Sequence, residues 1–455
     1  MAEDHVSPQM ETVARFIEEA ARTPLPEEVE RKTGYHVLDT IAAMVTGARM
    51  PAGRLAADYV RSQGGVEEAL VIGTDHVTNA TLAAYANAMS AHADETDDSH
   101  APSLSHPGCA VVPAALAIAE RHGQSGTEFL RAVSAGYDIG CRITPMLNMS
   151  NFSGTGSNRS SHAMVSVWGA AAAASALEGL TEEQIRWSLS YTAHQSSGVT
   201  TWLRDTHHVE KAFLFAGMGA RNGVASATFV SAGMDGVGDV FTGRPNYLDA
   251  ISDDHDLDIL VKGLGSDYMI METNIKKYAV GSPAQAAVQA MENLIAREGL
   301  THDQVERLEI HIPADLAEVV DSRHMPDINC QYLVAGTLVD GRFSFEMAHD
   351  EDRMHTDETI KSLVARTDYF KDEATSGTRK GRVIAHLKDG SSIEDFVEAV
   401  DGTAQKPMTE DMVLAKMRDL LVPVIGTGPT EQLIELILDP KQLKDVRDLR
   451  PILSI

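Results

Sequence analysis

The chain has 455 residues, 43% hydrophobic and only 5% aromatic, and its 66 Asp plus Glu against 38 Lys plus Arg give a formal net charge of -28. That charge repels a polyanion and excludes nucleic acid as a partner. The apolar content suffices for a core and the length exceeds what one core usually organises, so a large domain plus a smaller one is expected.

Three cysteines, Cys109, Cys141 and Cys330, are widely spaced without a CxxC pair and indicate neither a disulfide framework nor a zinc-thiolate site. The N-terminal residues MAEDHVSPQM are acidic and lack an apolar run. No stretch approaches the roughly 20 apolar residues of a membrane span, so a cytoplasmic protein without a membrane partner is expected.

From Glu11 to Arg22, Val13, Phe16, Ile17 and Ala20 recur at helical spacing, and after Pro24 and Pro26 a second helix carries Val37, Leu38, Ile41 and Val45. Thr78 to Ala93 reads as a small-residue helix running into an acidic loop. Pro107 and Pro113 bracket the exit, and Val111 to Arg121 begins the next helix. Ser125/Glu128 and Thr181/Gln184 are capping boxes that start helices. A third box, Thr301/Gln304, precedes a strand-like alternation in which Leu308, Ile310 and Ile312 oppose Arg307, Glu309 and His311. Between about Lys277 and Thr403 strand signals mix with helices, and the run Val383, Ala385, Leu387, the turn Asp389-Gly390 and the run Ile393 to Val397 form a hairpin. After Pro407 helices return through Met412 to Leu421 and Glu431 to Leu438. The pattern predicts a mainly α protein with an α+β insertion: residues 1–270 helical, 271–405 α+β, and 406–455 returning to the helical part.

The chemistry concentrates in His92 to His106, HADETDDSHAPSLSH. Asp94, Glu95, Asp97 and Asp98 precede His100, and His106 follows just before Pro107, which restrains its backbone and suits it to general acid/base work. Asp, Glu and His are also metal ligands, so a metal-dependent hydrolase is the competing reading. There is no HExxH, HxH or EF-hand spacing, and no metal is expected. A second segment, Asn274 to Ala287 or NIKKYAVGSPAQAA, holds Lys276 and Lys277; neighbours on an extended segment point oppositely, so one of them faces the site. A third, Ser157 to His162 or SNRSSH, places Arg159, Ser160 and His162 at a helix start suited to a carboxylate. The fourth, Thr200 to Lys211, adds Arg204, His207, His208 and Lys211.

HADETDDSH, the segment from Ser105 to Arg142, GAAAAASALEGL, KKYAVGSPAQAA and CQYLVAGTLVDGR together resemble the MmgE/PrpD superfamily, whose members include 2-methylcitrate dehydratase, cis-aconitate decarboxylase and iminodisuccinate epimerase. The resemblance implies a large all-helical domain with a smaller α+β lid domain, a homodimer, and no metal or organic cofactor. It matches His106 to the histidine of the HP motif, Asp97, Asp98 and Ser99 to the DDT/S segment, Glu95 to a commonly acidic position, and Lys276 to the lysine of K-[KR]-[YF]. Asp205, Gln285 and Ser160 stand where decarboxylase-like members or many relatives carry a lysine, a histidine and a further histidine, which argues against cis-aconitate decarboxylase. The expected substrate is a small anionic di- or tricarboxylate. His106 and Lys276 would be its acid/base groups, with Glu95, Asp97, Asp98, Ser99, His100, Arg159, Ser160, His162 and Arg204 binding it. A 2-methylcitrate dehydratase-like lyase is the leading expectation and an iminodisuccinate epimerase-like isomerase the alternative, ahead of a hydrolase or a non-catalytic metabolite binder.

Overall fold

The computed structural model describes residues 6–149 and 158–455; Ser157, at the head of the SNRSSH segment, lies outside them. The chain forms two compact units, one of residues up to Ala93 with 97–274 and 414–455, the other of residues 94–96 with 275–413. The chain passes between them at 274/275 and 413/414, a few residues beyond the positions read from composition. That residues 94–96 belong to the second unit had no sequence signal.

The first unit is helical: α1 (Pro8–Ala20), α2 (Glu27–Gly47), α3 (Pro51–Gln63), α4 (Ala80–Ala91), α5 (Gly108–His122), α6 (Gly126–Met146), α7 (Ser161–Leu177) and α8 (Glu182–Gln195), followed by the helix Met218–Ser231 and the C-terminal helix Thr427–Leu438. A short hairpin, β1 (Ala69–Leu70) and β2 (Val77–Thr78), interrupts them. Both capping boxes form: the Ser125 and Thr181 hydroxyls accept the N–H groups of Glu128 and Gln184, whose side chains return to the cap N–H. Pro113 does not bracket a loop as expected; it lies inside α5, which begins directly after Pro107.

Every residue of α7 is buried, so this helix is the centre of the unit. A helix apolar all round has no solvent face and packs on every side. Alanine and glycine make that close packing possible. Gly136 of α6 faces Gly169 of α7 so closely that a β-carbon on Gly136 would stand 2.8 Å from the Gly169 carbonyl oxygen and 2.5 Å from Val111. The low aromatic content thus reflects helices that approach backbone to backbone. One ionic pair is sealed into this core: Lys416 Nζ lies 2.5 Å from Asp39 Oδ1, with the two side chains 8% and 0% exposed.

The second unit has a sheet of order β4-β3-β5-β6, where β3 is Val305–Pro313, β4 Thr367–Asp372, β5 Gly381–Leu387 and β6 Ser392–Val397. β3 runs parallel to β4 and antiparallel to β5, and β5 and β6 form the hairpin expected around Asp389-Gly390. Leu308, Ile310 and Ile312 are buried in a core shared with helices Gln285–Glu298 and Cys330–Asp340, while Glu309 and His311 are half-exposed. That alternation is what a sheet with one covered face requires. The Thr301 box caps only a 3₁₀ turn, His302–Gln304, before β3 begins.

Residues 94–96 are held in this unit by two ion pairs. Asp94 accepts the N–H and hydroxyl of Thr96, both at 2.8 Å, and its Oδ2 lies 3.0 Å from His349 Nε2. Burial by itself lowers the His349 pKa, but the Asp94 hydrogen bond and the charges of Asp94 and Asp327 outweigh it and raise it to about 9. Glu95 pairs with Lys276 at 3.2 Å.

Two stability predictions follow from these pairs. Lys416→Met should strand the Asp39 carboxylate in the core and cost roughly 3–5 kcal/mol in chemical denaturation, most of it recovered by adding Asp39→Asn; a loss under about 1 kcal/mol would mean that the pair is not sealed from water. His349 has a raised folded-state pKa, so its contribution is complete below the unfolded value of about 6.5 and is lost as pH rises through about 9. The stability gap between the native protein and His349→Gln should therefore shrink between pH 6.5 and 9.5, and a pH-independent gap would sink this assignment.

Candidate active site

The loop from His92 to Pro107 joins α4 to α5, and Asp98 anchors its first-unit portion. The Asp98 carboxylate accepts the Tyr137 hydroxyl at 2.5 Å and the Gly108 N–H at 3.0 Å, and meets His36 Nδ1 at 2.8 Å. Burial lowers the His36 pKa to about 4 against the opposing pull of Asp98. Neutral His36 therefore donates its Nδ1 hydrogen, and Asp98 ties the loop to α2, α5 and α6. The fit leaves no room at Gly108, where a β-carbon would lie 2.6 Å from the Tyr137 hydroxyl oxygen and 2.8 Å from Thr40 Oγ1.

His106 Nδ1 lies 2.6 Å from the Asp98 carbonyl oxygen and 3.6 Å from Asp97 Oδ1. A carbonyl can only accept, so Nδ1 carries the hydrogen, and in the neutral ring the lone pair is on Nε2. The other oxygen of Asp97 is 3.0 Å from His92 Nδ1, which sets one carboxylate between two imidazoles. His92 stacks on Phe215 at 4.6 Å, His162 stacks on the same ring at 3.7 Å, and His106 lies 5.2 Å from both histidines. His208 reaches the group at 5.2 Å from His92.

Local backbone irregularities bring Phe215 and His208 here. Phe213–Gly217 is a π turn inside the continuous helical run from Val209 to Ser231, and such widened turns are common at functional sites. His208 precedes that run in the left-handed region, at φ 56°, a conformation rare for a side chain with a β-carbon. His162 comes from the first turn of the buried α7 and Trp202 from the 3₁₀ segment Thr200–Arg204.

The sequence candidates fall into distinct places. His106 and His162 meet around Phe215, with Asp97 beside His106 and His92, while the Asp98 carboxylate meets Tyr137, Gly108 and His36. His100 is a loop brace: Ser103 satisfies its Nδ1 and burial lowers its pKa to about 4. Ser99 pairs its backbone with Asn274. Ser160 is buried and makes no capping hydrogen bond, whereas the Ser161 hydroxyl donates to the Leu104 carbonyl. Arg159 and Arg204 are exposed. Asp205 accepts the N–H groups of His207 and Lys211, each at 2.9 Å.

In the second unit, Lys276 is buried, its Nζ 2.9 Å from the Glu95 carbonyl and 3.2 Å from Glu95 Oε2. Lys277 is half-exposed and pairs with Asp401 at 3.2 Å and Glu292 at 3.6 Å. Gln285 braces the segment between them and the next helix, donating to the Tyr278 and Val280 carbonyls and accepting the Tyr278 N–H.

Sequence reasoning missed His36, Tyr137, Phe215 and His349. Each looks like an ordinary core or surface residue of its own helix, and only the fold aims it. For a metal, the ligand atoms of His92, Asp97 and His106 lie within 4.8 Å of one another. The hydrogen that His106 Nδ1 gives to the Asp98 carbonyl occupies that nitrogen, and His92 Nδ1 is hydrogen-bonded to Asp97 at 3.0 Å.

Residues 11–260 match the model of the MmgE/PrpD N-terminal domain and residues 278–440 that of the MmgE/PrpD C-terminal domain. Among characterised proteins, a cis-aconitate decarboxylase of Aspergillus terreus is 26% identical, over 97% of this chain and 95% of its own. A second, from A. terreus strain NIH 2624 / FGSC A1156, is 25% identical over the same shares. Through both halves of its length, the chain belongs to the MmgE/PrpD family.

Proposed function

We propose that this protein is a lyase-type enzyme that acts, without a cofactor, on a small di- or tricarboxylate by moving a proton at the carbon next to a carboxylate, in the manner of 2-methylcitrate dehydratase. The observation that carries this reading is the hydrogen bond from His106 Nδ1 to the Asp98 carbonyl, which makes Nε2 the basic nitrogen of the neutral ring. Carbon acids of this kind need a positioned base and fixed charge for the carboxylate as negative charge develops on it.

In the proposed step, His106 Nε2 takes the proton from the carbon and the C–H electron pair moves toward the neighbouring carboxylate. That pair then forms the double bond as a β-hydroxyl leaves with a proton from Lys276, so that one water is released. Asp97, between His106 and His92, favours the imidazolium that His106 becomes. Glu95 balances the Lys276 ammonium. Return of the proton to the opposite face instead of loss of the β-group gives the epimerase-like outcome. Decarboxylation, the activity named for the two Aspergillus relatives, is the third outcome for this family at these identities.

A panel of hydroxy-, amino- and unsaturated carboxylates, cis-aconitate included, in deuterated water with NMR and CO₂ detection separates these outcomes. Loss of water with deuterium exchange beside a carboxylate is expected. Exchange with inversion would move the assignment to an epimerase, CO₂ release to a decarboxylase, and silence across the panel would remove the proton-transfer reading altogether. On the reactive substrate, His106→Ala and Lys276→Ala should each lower kcat at least about a hundredfold. Near-normal turnover in either variant would take that residue out of the mechanism.

A further inference from the structure

A cleft of about 480 Å³ opens on the helical unit where α2 ends, and none of its residues belongs to the histidine cluster. One wall is Ala48 and Arg49, just past α2; the second is α3, which presents Arg54, Asp58 and Arg61 at spacings of four and three residues, hence on one helix face. The third is the turn between β1 and β2 at Gly73 and Thr74.

Backbone contacts fix these walls. Gly73 takes φ 80°, and a β-carbon there would stand 2.5 Å from Ala48 Cβ, so the turn closes on the end of α2 only because that residue is glycine. The Gly73 N–H donates to the Leu453 carbonyl at 3.0 Å, and the Val71 N–H closes the turn on the His76 carbonyl at 2.8 Å. Arg54 donates to the Arg49 carbonyl and so joins the first two walls.

The charge of the cleft opposes that of the chain. Acidic residues outnumber basic ones 66 to 38 overall, yet here three guanidinium groups face one lining carboxylate, Asp58. Arg61 reaches Asp75 at 3.5 Å, but with side chains 56% and 95% exposed such a pair is screened by water and holds the arginine weakly. Among the described residues Arg49 and Arg54 have no carboxylate at ion-pair distance. A concave wall of one sign concentrates the opposite ion.

We infer that this cleft binds a small soluble phosphate ester that carries free hydroxyl groups. The planar fork of a guanidinium matches phosphate oxygens two at a time, and Arg49 and Arg61 can share the double charge of a phosphate monoester from opposite walls. The volume falls within the range of roughly 300–1,000 Å³ of small-molecule sites and leaves room for an organic part beside the phosphate. Asp58 repels a second phosphate and accepts a hydrogen bond from a hydroxyl, which favours a hydroxylated monoester over a polyphosphate.

The test is calorimetry of the full chain with glycerol 3-phosphate, inorganic phosphate and glycerol at about 0.15 M salt, where unspecific attraction is screened. Glycerol 3-phosphate should bind saturably below about 10 mM, inorganic phosphate more weakly and glycerol not at all. The double variant Arg49→Gln, Arg61→Gln should weaken glycerol 3-phosphate at least about tenfold, whereas Arg15→Gln, an exposed arginine on α1, should leave it unchanged. Asp58→Ala should narrow the preference for glycerol 3-phosphate over inorganic phosphate. Absence of saturable binding by the native protein would overturn the inference, as would equal affinity in the double variant or an equal loss in Arg15→Gln. Sedimentation with phosphatidate vesicles in place of glycerol 3-phosphate binding would also overturn it, by assigning the arginines to a lipid surface.

Discussion

The helical unit's site depends on a single buried carboxylate. Asp98 collects a tyrosine hydroxyl, a histidine N–H and a backbone N–H, and its own carbonyl receives His106. Burying an ionised carboxylate is tolerable only when its lone pairs are filled, and here three different helices fill them. The loop conformation, the tautomer of His106 and the close contact at Gly108 are consequences of that one requirement. Removing any of the three donors would leave the charge short of a partner and free the loop to move.

Around this anchor the protein gathers histidines. His92, His106 and His162 group around Phe215, with His208 beside His92, and Asp97 joins two of them. Stacked imidazoles on an apolar ring are compact, and ring contacts of 3.7 to 5.6 Å hold the group together. The departures from decarboxylase-like patterns fit the same picture. Asp205 is a backbone cap and Gln285 a backbone brace, so neither position supplies a cation.

Much of the fold was legible because its signals are local. Capping boxes, the small-residue helices, the Asp389-Gly390 hairpin and the alternation of β3 each depend on residues within a few positions of one another. An error arose where a local signal was overridden: Pro113 lies inside a helix that is buried from Gly108 to Glu120, whereas the strand expected after the Thr301 box forms as β3. His106 and Lys276 were singled out by their flanking residues, and burial separates Lys276 from the half-exposed Lys277. Phe215 was not readable, because a π turn has no composition that distinguishes it from the α-helix around it.

By itself the sequence determined the class of the protein: a mainly helical chain with an α+β insertion, an excess of acidic residues, and a loop dense in carboxylates and histidines. These follow from composition and short-range periodicity, which a linear chain displays. Tertiary structure alone decided what each charged group does. Asp97 and Asp98 are neighbours in the chain, yet one sits between imidazoles and the other is enclosed by Tyr137, His36 and Gly108. The reason is that the environment of a buried charge is set by residues up to 62 positions away, whose arrival depends on how helices pack and not on the order of residues.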